Sequence, residues 1–309
     1  MLVRTTRGGT ESGGMLGDHV RFLICPHCGG ELVPAGRSLA CVRAHAFDVA
    51  RQGYVSLLGG KGRSVPGDTA GMVQARADFL AGEHFAPIAD AMAGAGIREL
   101  TRGPGDAPGD PGCIVDIGAG TGYYLHALGQ RLATGVPRRE GPPHGLIAVD
   151  VSKHAMRRAA QLYPELAPVV ADTRQLIPVA TGSAPMILDA FAPREPAEID
   201  RVLAPQGSVL VVLPHREHLA ELVDTLGLLQ VDPGKRARTE GKLGGAFTRV
   251  DEQQVSYEMS LGRTDLLRLV RMGPSAWHQN LEETEERLHA VPDPAVVSVS
   301  VSILTYRRS

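Results

Sequence analysis

The sequence predicts a doubly wound α/β fold that follows a small cysteine-bearing module. From residue 113 onward, short apolar runs alternate with segments of helical periodicity, which is typical of a parallel sheet covered by helices. Between residues 25 and 45, cysteines and histidines occur at a spacing typical of a metal site. A chain of 309 residues with 43% hydrophobic content can bury one large core and a satellite module.

The predicted elements follow one another at the spacing of βα units. Helical periodicity covers residues 68–97, with Asp68 as the N-cap of the first helix. The predicted strands are 113–117, 146–150, 168–171, 186–191, 208–213 and, late in the chain, 294–305. The predicted helices are 122–133, 153–162, 196–203 and 215–227. The predicted loops are the Pro/Gly-rich stretches 103–112 and 135–145 and a mobile segment at 232–246.

Composition limits the classes of function. The net charge of −2 excludes a strong overall attraction to nucleic acid, although a local basic patch is compatible with it. No apolar stretch reaches about 18 residues, which argues against a membrane span. The N-terminus lacks the apolar core of a signal peptide, so we expect a cytoplasmic protein.

A glycine-rich turn follows the predicted strand 113–117. Its glycines are Gly118, Gly120 and Gly122, and Asp116 precedes them by two positions. Glycines at this place let backbone amides approach a ligand closely. This G-x-G-x-G spacing resembles motif I of class I (Rossmann-like) methyltransferases, in which the acid can hold water or the methionine ammonium group. A dinucleotide site, which uses G-x-G-x-x-G, is the competing interpretation.

Two further acidic residues stand at predicted strand ends. Asp150 ends the second strand, where an acid accepts both ribose hydroxyls. Asp172 follows the third strand, where an adenine amino group is commonly recognised. Together with the glycine turn, these acids predict S-adenosylmethionine as the cofactor. The alternative is a glycine-rich turn in an unrelated α/β protein.

The cysteine-bearing segment predicts a zinc site. Cys25 and Cys28 form a C-x-x-C knuckle, and Cys41 and His45 supply a second pair. Four nitrogen and sulfur ligands suit a tetrahedral structural Zn²⁺, which would fold a segment too short to bury its own core. His27 is the competing ligand, but its ring would have to fold back on its own loop.

Residues 21–65 carry a local excess of positive charge. Six basic residues oppose two acidic ones: Arg21, Arg37, Arg43, Arg51, Lys61 and Arg63 against Glu31 and Asp48. Phe47 and Tyr54 lie among them. Basic residues and an aromatic platform around a zinc knuckle are typical of RNA binding by phosphate contact and base stacking. A solvated basic surface is the alternative.

The order of the motifs resembles that of one family. Besides the cysteine set and the glycine turn, the resemblance rests on Gly67-Asp68-Thr69, Met72-Val73-Gln74-Ala75-Arg76, Phe191-Ala192-Pro193, His218-Leu219 and Met272-x-Pro274-x-Ala276-Trp277. From about residue 21 to 306 the chain resembles 23S rRNA guanine-N1 methyltransferases of the RlmA type, which include macrolide (tylosin) resistance enzymes. The resemblance implies methylation at N1 of a guanine in a hairpin loop near the macrolide site, with the 748 type favoured over the 745 type.

The resemblance also assigns residues and partners. Cys25, Cys28, Cys41 and His45 match the zinc ligands of the family. Gly120 and Thr121 match its cofactor turn, Phe85 matches an aromatic side chain over the cofactor, and His218 matches a further cofactor contact. The implied partner is 23S rRNA, a homodimer is left open, and macrolide resistance is the implied role.

Four segments are therefore predicted. A disordered extension covers 1–20, and a zinc-binding RNA-recognition module covers 21–60. A helical linker that packs on the cofactor site covers 61–100, and an S-adenosylmethionine-dependent methyltransferase domain covers 101–309.

Two residues near the end of the predicted strand 186–191 are candidates for catalysis. Asp189 is either the acceptor of the guanine N1 proton or a solvent-exposed strand-end residue. Phe191 stands in the place of the stacking motif of base methyltransferases. It either stacks on an extruded guanine or packs in the core.

Three functions compete at this point. An rRNA guanine-N1 methyltransferase is favoured over a small-molecule (antibiotic) methyltransferase, because the cysteine-bearing segment is basic. A non-catalytic RNA-binding protein is disfavoured, because the acids and glycines of the cofactor turn are intact.

Overall fold

The computed structural model describes residues 16–59, 67–102, 111–135, 144–226, 228, 230–273 and 281–309. Within these ranges the chain forms a three-stranded sheet and an eight-stranded sheet. In the same part of the chain no helix is long and apolar enough to cross a lipid bilayer.

The small sheet belongs to the N-terminal module. A single 3₁₀ turn at Val20–Phe22 precedes antiparallel strands in the order β1-β2-β3. These strands are β1 Leu32–Ala35, β2 Ser38–Cys41 and β3 Ala46–Asp48. In β2, burial alternates so that Leu39 and Cys41 face inward, as expected for a half-buried strand.

The large sheet is mostly parallel. Its strands are β4 Val55–Ser56, β5 Cys113–Ile117, β6 Gly145–Asp150, β7 Ala167–Val170, β8 Ala184–Ala190, β9 Leu203–Pro214, β10 Phe247–Leu261 and β11 Ala295–Arg308. They lie in the order β10-β11-β9-β8-β5-β6-β7-β4, and β11 pairs antiparallel with both β9 and β10. The chain order reverses at β5, between β6 and β8. Open α/β sheets bind their ligands at such a switch point.

Helices and the N-terminal module cover the two faces of this sheet. The helices are α1 Ala70–Ala81, α2 Ala86–Thr101, α3 Tyr123–Gly135, α4 Lys153–Leu162, α5 Pro196–Val202, α6 Ala220–Leu226, α7 Lys235–Leu243, α8 Arg263–Met272 and α9 Leu281–Leu288. One core joins the sheet to side chains of α1, α2, α3 and α4, such as Phe79 and Ile88. The other core joins it to module side chains such as Phe22 and Phe47. The module therefore shares the core of the larger domain.

The strands at the centre of the sheet are confirmed within a few residues of their predicted bounds. Two predicted segments that follow β9 need correction. The helix predicted at 215–227 begins only at Ala220, because Leu219 adopts a φ of 59° and its N–H bonds to Ser298 in β11. The loop predicted at 232–246 contains α7, which is polar and is anchored by the buried side chains of Thr239 and Leu243.

Two boundaries near the N-terminus also differ. Ordered structure includes Leu16 and Val20, whose buried side chains lie within the extension predicted to be disordered. The rest of that extension, residues 1–15, lies outside the described residues, as do 103–110 and 136–143 of the two predicted loops. The N-cap of α1 is Thr69 rather than Asp68, because Thr69 accepts the Met72 N–H while Asp68 pairs with Arg76.

A Thr69→Ala substitution tests this corrected cap. Loss of the hydroxyl acceptor leaves one first-turn N–H unpaired, so we expect the free energy of unfolding to fall by about 1 kcal/mol. Denaturant titration followed by circular dichroism measures the change. Thr101→Ala is the matched control, since that hydroxyl bonds only to carbonyl oxygens of its own helix. An equal loss in both variants would contradict the assignment.

Candidate cofactor cleft and zinc cluster

The glycine turn has a backbone that only glycine accommodates easily. Gly118 and Gly120 have φ values of 66° and 55°. A Cβ atom at Gly118 would lie 2.4 Å from the Cβ of Ala192, in the turn after β8. The N–H of Gly118 bonds to the Val149 carbonyl oxygen at 2.8 Å, and that of Gly120 bonds to Asp150 Oδ2 at 2.9 Å. The turn is therefore held between β6 and the residues that follow β8.

Asp116 lies in β5 directly beneath this turn. It is 1% exposed, and neither carboxylate oxygen has a hydrogen-bond partner among the described residues. Burial raises the pKa of this carboxyl well above its ordinary value, and the nearby charges of Asp189 and Asp150 raise it further. An orphaned buried acid at a ligand-binding edge suits a ligand that brings hydrogen-bond donors or positive charge. The methionine ammonium group of S-adenosylmethionine fits that requirement.

The Asp150 carboxylate connects the turn to two helices. Its Oδ1 accepts the Ser152 N–H at 2.7 Å, and the Ser152 hydroxyl donates to the Asp68 carbonyl oxygen at 2.7 Å. Asp68 in turn pairs with Arg76 at 2.5 Å. The Arg76 guanidinium lies 3.1 Å from the point that a Cβ of Gly120 would occupy. The segment before α1, the start of α4 and the glycine turn thus fix one another.

The remaining predicted cofactor residues near the glycine turn are Thr121, Gly122 and Asp172. Thr121 is buried, and Gly122 has a φ of 83°. Asp172 follows β7, but its carboxylate accepts two hydrogen bonds from the Arg174 guanidinium, at 2.7 and 2.9 Å, one from the Arg174 backbone N–H at 3.1 Å and one from Gln175. The Arg174 bonds lower the pKa of Asp172. Recognition of adenine by Asp172 stays a prediction.

Aromatic rings line the other side of the cleft. The His218 ring lies 6.1 Å from that of Phe85 and 6.1 Å from that of Phe191, nearly parallel to the latter at 17°. Tyr124 approaches Phe191 at 6.4 Å. Burial lowers the pKa of His218 to about 4, and its Nδ1 accepts the Ser300 N–H at 3.4 Å. The imidazole is therefore neutral, with its proton on Nε2.

Asp189 is fully buried, so its interpretation as a solvent-exposed strand-end residue is wrong. Its carboxylate pairs with Arg194, at 2.5 Å to Nε and 3.2 Å to Nη2, and accepts the Ala192 N–H at 3.3 Å. Arg194 also donates to the Thr239 hydroxyl in α7 at 2.7 Å. Phe191, inside this turn, has a φ of 61°, which costs energy for a bulky residue. The ion pair compensates by fixing the turn that presents Phe191.

The four predicted metal ligands lie together. His45 Nδ1 is 3.4 Å from both Cys25 Sγ and Cys41 Sγ, and Cys28 Sγ is 3.6 Å from Cys41 Sγ. All four ligand atoms lie within 4.8 Å of one another. A tetrahedral zinc ion, with bonds of about 2.3 Å to sulfur and about 2.0 Å to nitrogen, holds its ligand atoms roughly 3.5–3.8 Å apart. The cluster fits that ion.

The module surface differs from its prediction in one respect. Phe47 and Tyr54 are 9% and 7% exposed, so the expected aromatic platform is buried in the core. His27 is exposed instead and stacks on Phe47 at 5.7 Å, outside the metal cluster. Arg21, Arg37, Arg43 and Arg51 are exposed, whereas Lys61 and Arg63 lie outside the described residues.

Four residues of the cleft were not predicted from the sequence: Arg76, Tyr124, Arg194 and Lys235. Arg76 belongs to a motif of the family resemblance, but that motif did not indicate a contact with the glycine turn. Lys235 begins α7, is half-buried, and forms no ion pair within the described residues. Its charge adds to the burial and the His215 charge that lower the pKa of His218. Nothing in the spacing of these residues indicated the cleft.

The sheet order, the glycine turn and the buried acid beneath it define a class I, Rossmann-like methyltransferase. Residues 23–61 match the zinc-ribbon family model described as "RlmA, N-terminal". A 23S rRNA (guanine(748)-N1)-methyltransferase of Streptomyces fradiae is 41% identical over 288 residues, which cover 93% of this chain and 97% of the relative. A Micromonospora griseorubida protein described as a 23S rRNA (guanine-N1)-methyltransferase is 42% identical over 300 residues, 94% of this chain and 98% of the relative. The chain belongs to this family of 23S rRNA (guanine-N1)-methyltransferases.

An Asp116→Asn substitution tests the role of the orphaned acid. Because the pKa is raised in the fold, the cofactor-free protein loses stability as pH rises through that pKa. Removing the buried charge should therefore raise the free energy of unfolding at pH 7 by about 1 kcal/mol. The gain should shrink at acidic pH, where Asp116 is protonated. Affinity for S-adenosylmethionine should fall at the same time.

Thermal unfolding at several pH values and calorimetric titration with the cofactor measure both effects. Asp90→Asn, at an exposed surface pair with Arg131, is the control and should change neither. A variant that is less stable at pH 7 and binds the cofactor as before would refute the assignment.

His45→Ala and His27→Ala form a matched pair for the zinc cluster. We expect His45→Ala to lose bound zinc, measured by inductively coupled plasma mass spectrometry, because one of four ligands is gone. His27→Ala should retain it, because His27 lies outside the cluster. Zinc retained by the first variant and lost by the second would reverse the ligand assignment.

Proposed function

We propose that this chain transfers a methyl group from S-adenosylmethionine to N1 of a guanine in a hairpin loop of 23S rRNA. The observation that carries the proposal is the orphaned Asp116 carboxylate beneath a positive-φ glycine turn. A ligand with a cationic hydrogen-bond donor would satisfy that carboxylate. The aromatic rings of Phe85, Phe191 and His218 line the other side of the cleft and suit a base. Membership of the family supports the substrate class.

Two acids of the cofactor cleft have specific proposed roles. Asp116 binds the ammonium group, and the second lone pairs of the Asp150 oxygens accept the ribose hydroxyls. The residues proposed to complete the site are Phe85, Gly118, Gly120, Thr121, Gly122, Asp172 and His218. When bound, S-adenosylmethionine supplies an electrophilic methyl group.

On the acceptor side, alignment is the main contribution of the protein. We propose that Phe191 stacks on the extruded guanine, since an enzyme that acts on a base edge must take the base out of its stack. Asp189 is engaged by Arg194 and acts as a positioning residue for the turn that carries Phe191. The guanine N1 proton is therefore proposed to leave to water rather than to Asp189.

The zinc module is proposed to recognise the RNA. Cys25, Cys28, Cys41 and His45 hold a structural Zn²⁺, which leaves no open coordination position for chemistry. Exposed arginines of the module would contact phosphates.

The proposed division of the chain is a zinc-binding module at 21–60, a helical linker at 61–100 and the methyltransferase domain at 101–309.

The finer assignment follows the relatives. The Streptomyces fradiae relative is named for guanine 748, which supports the 748 type over the 745 type for this chain. We propose macrolide resistance as the role and the cytoplasm as the location, where ribosomal RNA is available. A homodimer stays a prediction.

Primer extension on 23S rRNA treated with protein and cofactor tests the function. N1 methylation blocks Watson–Crick pairing, so we expect one new stop next to one guanine. With labelled cofactor, label on a macrolide and no stop would favour the small-molecule methyltransferase. Absence of label from both substrates would favour the non-catalytic binding protein.

Phe191→Ala in the same assay tests the stacking role. Stacking of a base on an aromatic ring contributes about 1–3 kcal/mol, so kcat/KM for rRNA should fall roughly 10- to 100-fold. The cofactor Kd should stay within about twofold of the wild-type value. Phe191→Tyr, which keeps the ring, is the control and should retain most of the activity. Equal activity of the alanine and tyrosine variants would exclude the stacking role.

A further inference from the structure

A polar groove lies between α1 and α4, outside the cofactor cleft. Its volume is about 180 Å³, several times the roughly 30 Å³ that a water molecule occupies. The groove is lined by Ala70, Val73 and Gln74 of α1 and by His154, Arg157, Arg158 and Gln161 of α4. It is open to solvent along one side of α4.

The charge in this groove is positive. Helix α4 contains Lys153, Arg157 and Arg158 and no acidic residue. The two nearby acids do not line the groove: Asp68 pairs with Arg76, and Asp78 accepts the Gln74 side-chain N–H at 2.7 Å. The side chains that line the groove therefore include two arginines and no acid.

Neither Arg157 nor Arg158 has an ion-pair or hydrogen-bond partner in the described part of the chain. The Nε of Arg158 is also shielded from solvent, so one donor is buried without an acceptor. Two arginines on other helices differ: Arg131 pairs with Asp90 at 2.8 Å, and Arg236 pairs with Glu252 at 2.7 Å. A buried guanidinium donor without an acceptor is unfavourable, and a bound anion would satisfy it.

The position of Lys153 adds one more unfavourable charge. Lys153 occupies the first turn of α4, and the two arginines follow within its first two turns. The positive end of the helix dipole disfavours a cation in the first turn, at Lys153, and has little effect at Arg157 and Arg158. Because neither arginine is held by an ion pair among the described residues, and the Arg158 Nε is buried without an acceptor, both guanidinium groups are available to a ligand in the groove.

We propose that the groove binds a phosphate of the RNA backbone near the nucleotide that is modified, an inference that rests on the proposed function. Helix α4 begins directly after Asp150 and Ser152, and Arg157 and Arg158 lie about 8 Å along its axis from that point. Paired guanidinium groups suit phosphate oxygens, which they bind bidentately.

The groove also lies where RNA bound by the zinc module would pass. Strand β4, at the end of the module, pairs with β7, and α4 packs on β7 and β6. The module and α4 therefore flank the same edge of the large sheet, on its two faces. On the proposed function, an RNA strand held by the module would pass this edge, and with it the groove, on its way to the cofactor cleft.

The test measures binding of a 23S rRNA hairpin transcript at several salt concentrations. The Arg157→Gln/Arg158→Gln variant should bind about tenfold more weakly at 0.15 M salt. Its slope of log K against log salt should be less steep by about 0.7–1.8, which corresponds to one or two lost phosphate contacts. Its affinity for S-adenosylmethionine should equal that of the wild type, which shows that the fold and the cleft are intact.

Two further variants complete the experiment. Arg157→Lys/Arg158→Lys keeps both charges and should restore the salt slope. Arg131→Gln removes an exposed arginine elsewhere and should leave the slope unchanged. An unaltered slope in the double glutamine variant, or an equal change in Arg131→Gln, would overturn the proposal.

The primer-extension stop of the wild-type protein reports the proposed function separately. If the wild-type protein gives a stop and the salt slope of the double glutamine variant is unaltered, the phosphate site is refuted and the proposed function stands. If the wild-type protein gives no stop and the salt slope of the double glutamine variant is altered, the proposed reaction is refuted and the phosphate site stands.

Discussion

The Asp150 carboxylate is the interaction on which the geometry of the cofactor cleft depends. One oxygen accepts the Gly120 N–H and the other accepts the Ser152 N–H. Through Ser152 the same group reaches Asp68, and from there Arg76, whose guanidinium returns to the glycine turn. This closed circuit joins a strand end, a turn and two helices, although the residues lie far apart in the sequence. A substitution at any of these residues would therefore shift the glycine turn.

A second acid fixes the opposite wall. Asp189 and Arg194 form a buried pair whose charges compensate each other, and the turn after β8 is held in a conformation that is unfavourable for Phe191. Burying such a pair contributes little net stability, while breaking it leaves an uncompensated charge. The pair is therefore better understood as a device that specifies one conformation. Since Ala192 in this turn packs against Gly118, the two walls meet and set the width of the cleft.

The centre of the fold could be predicted because buried parallel strands are continuous apolar runs, as β5, β6 and β8 are. The first half of strand β10 could not, because its residues are mostly polar and face solvent at the sheet edge. Its second half was missed, although Val255, Tyr257, Met259 and Leu261 alternate with the period of a strand. The metal ligands followed from local spacing, whereas the partner of Asp189 depends on how the turn after β8 folds. Phe47 was misjudged as a stacking surface because its burial depends on docking against the large sheet, a contact that local sequence does not encode.

The shared core of the zinc module and the large sheet has an evolutionary consequence. A Cβ at Gly145 would lie 2.7 Å from the Phe22 ring, and Leu23 bridges to Val179. Recombination therefore cannot exchange the module freely between proteins, because its buried surface is complementary to this particular sheet. On the proposed role of the module in RNA recognition, new targets should therefore arise by substitution on the exposed ribbon, where Val33 and Val42 show that side chains are unconstrained by packing. Exchange of whole modules would require both surfaces to change together.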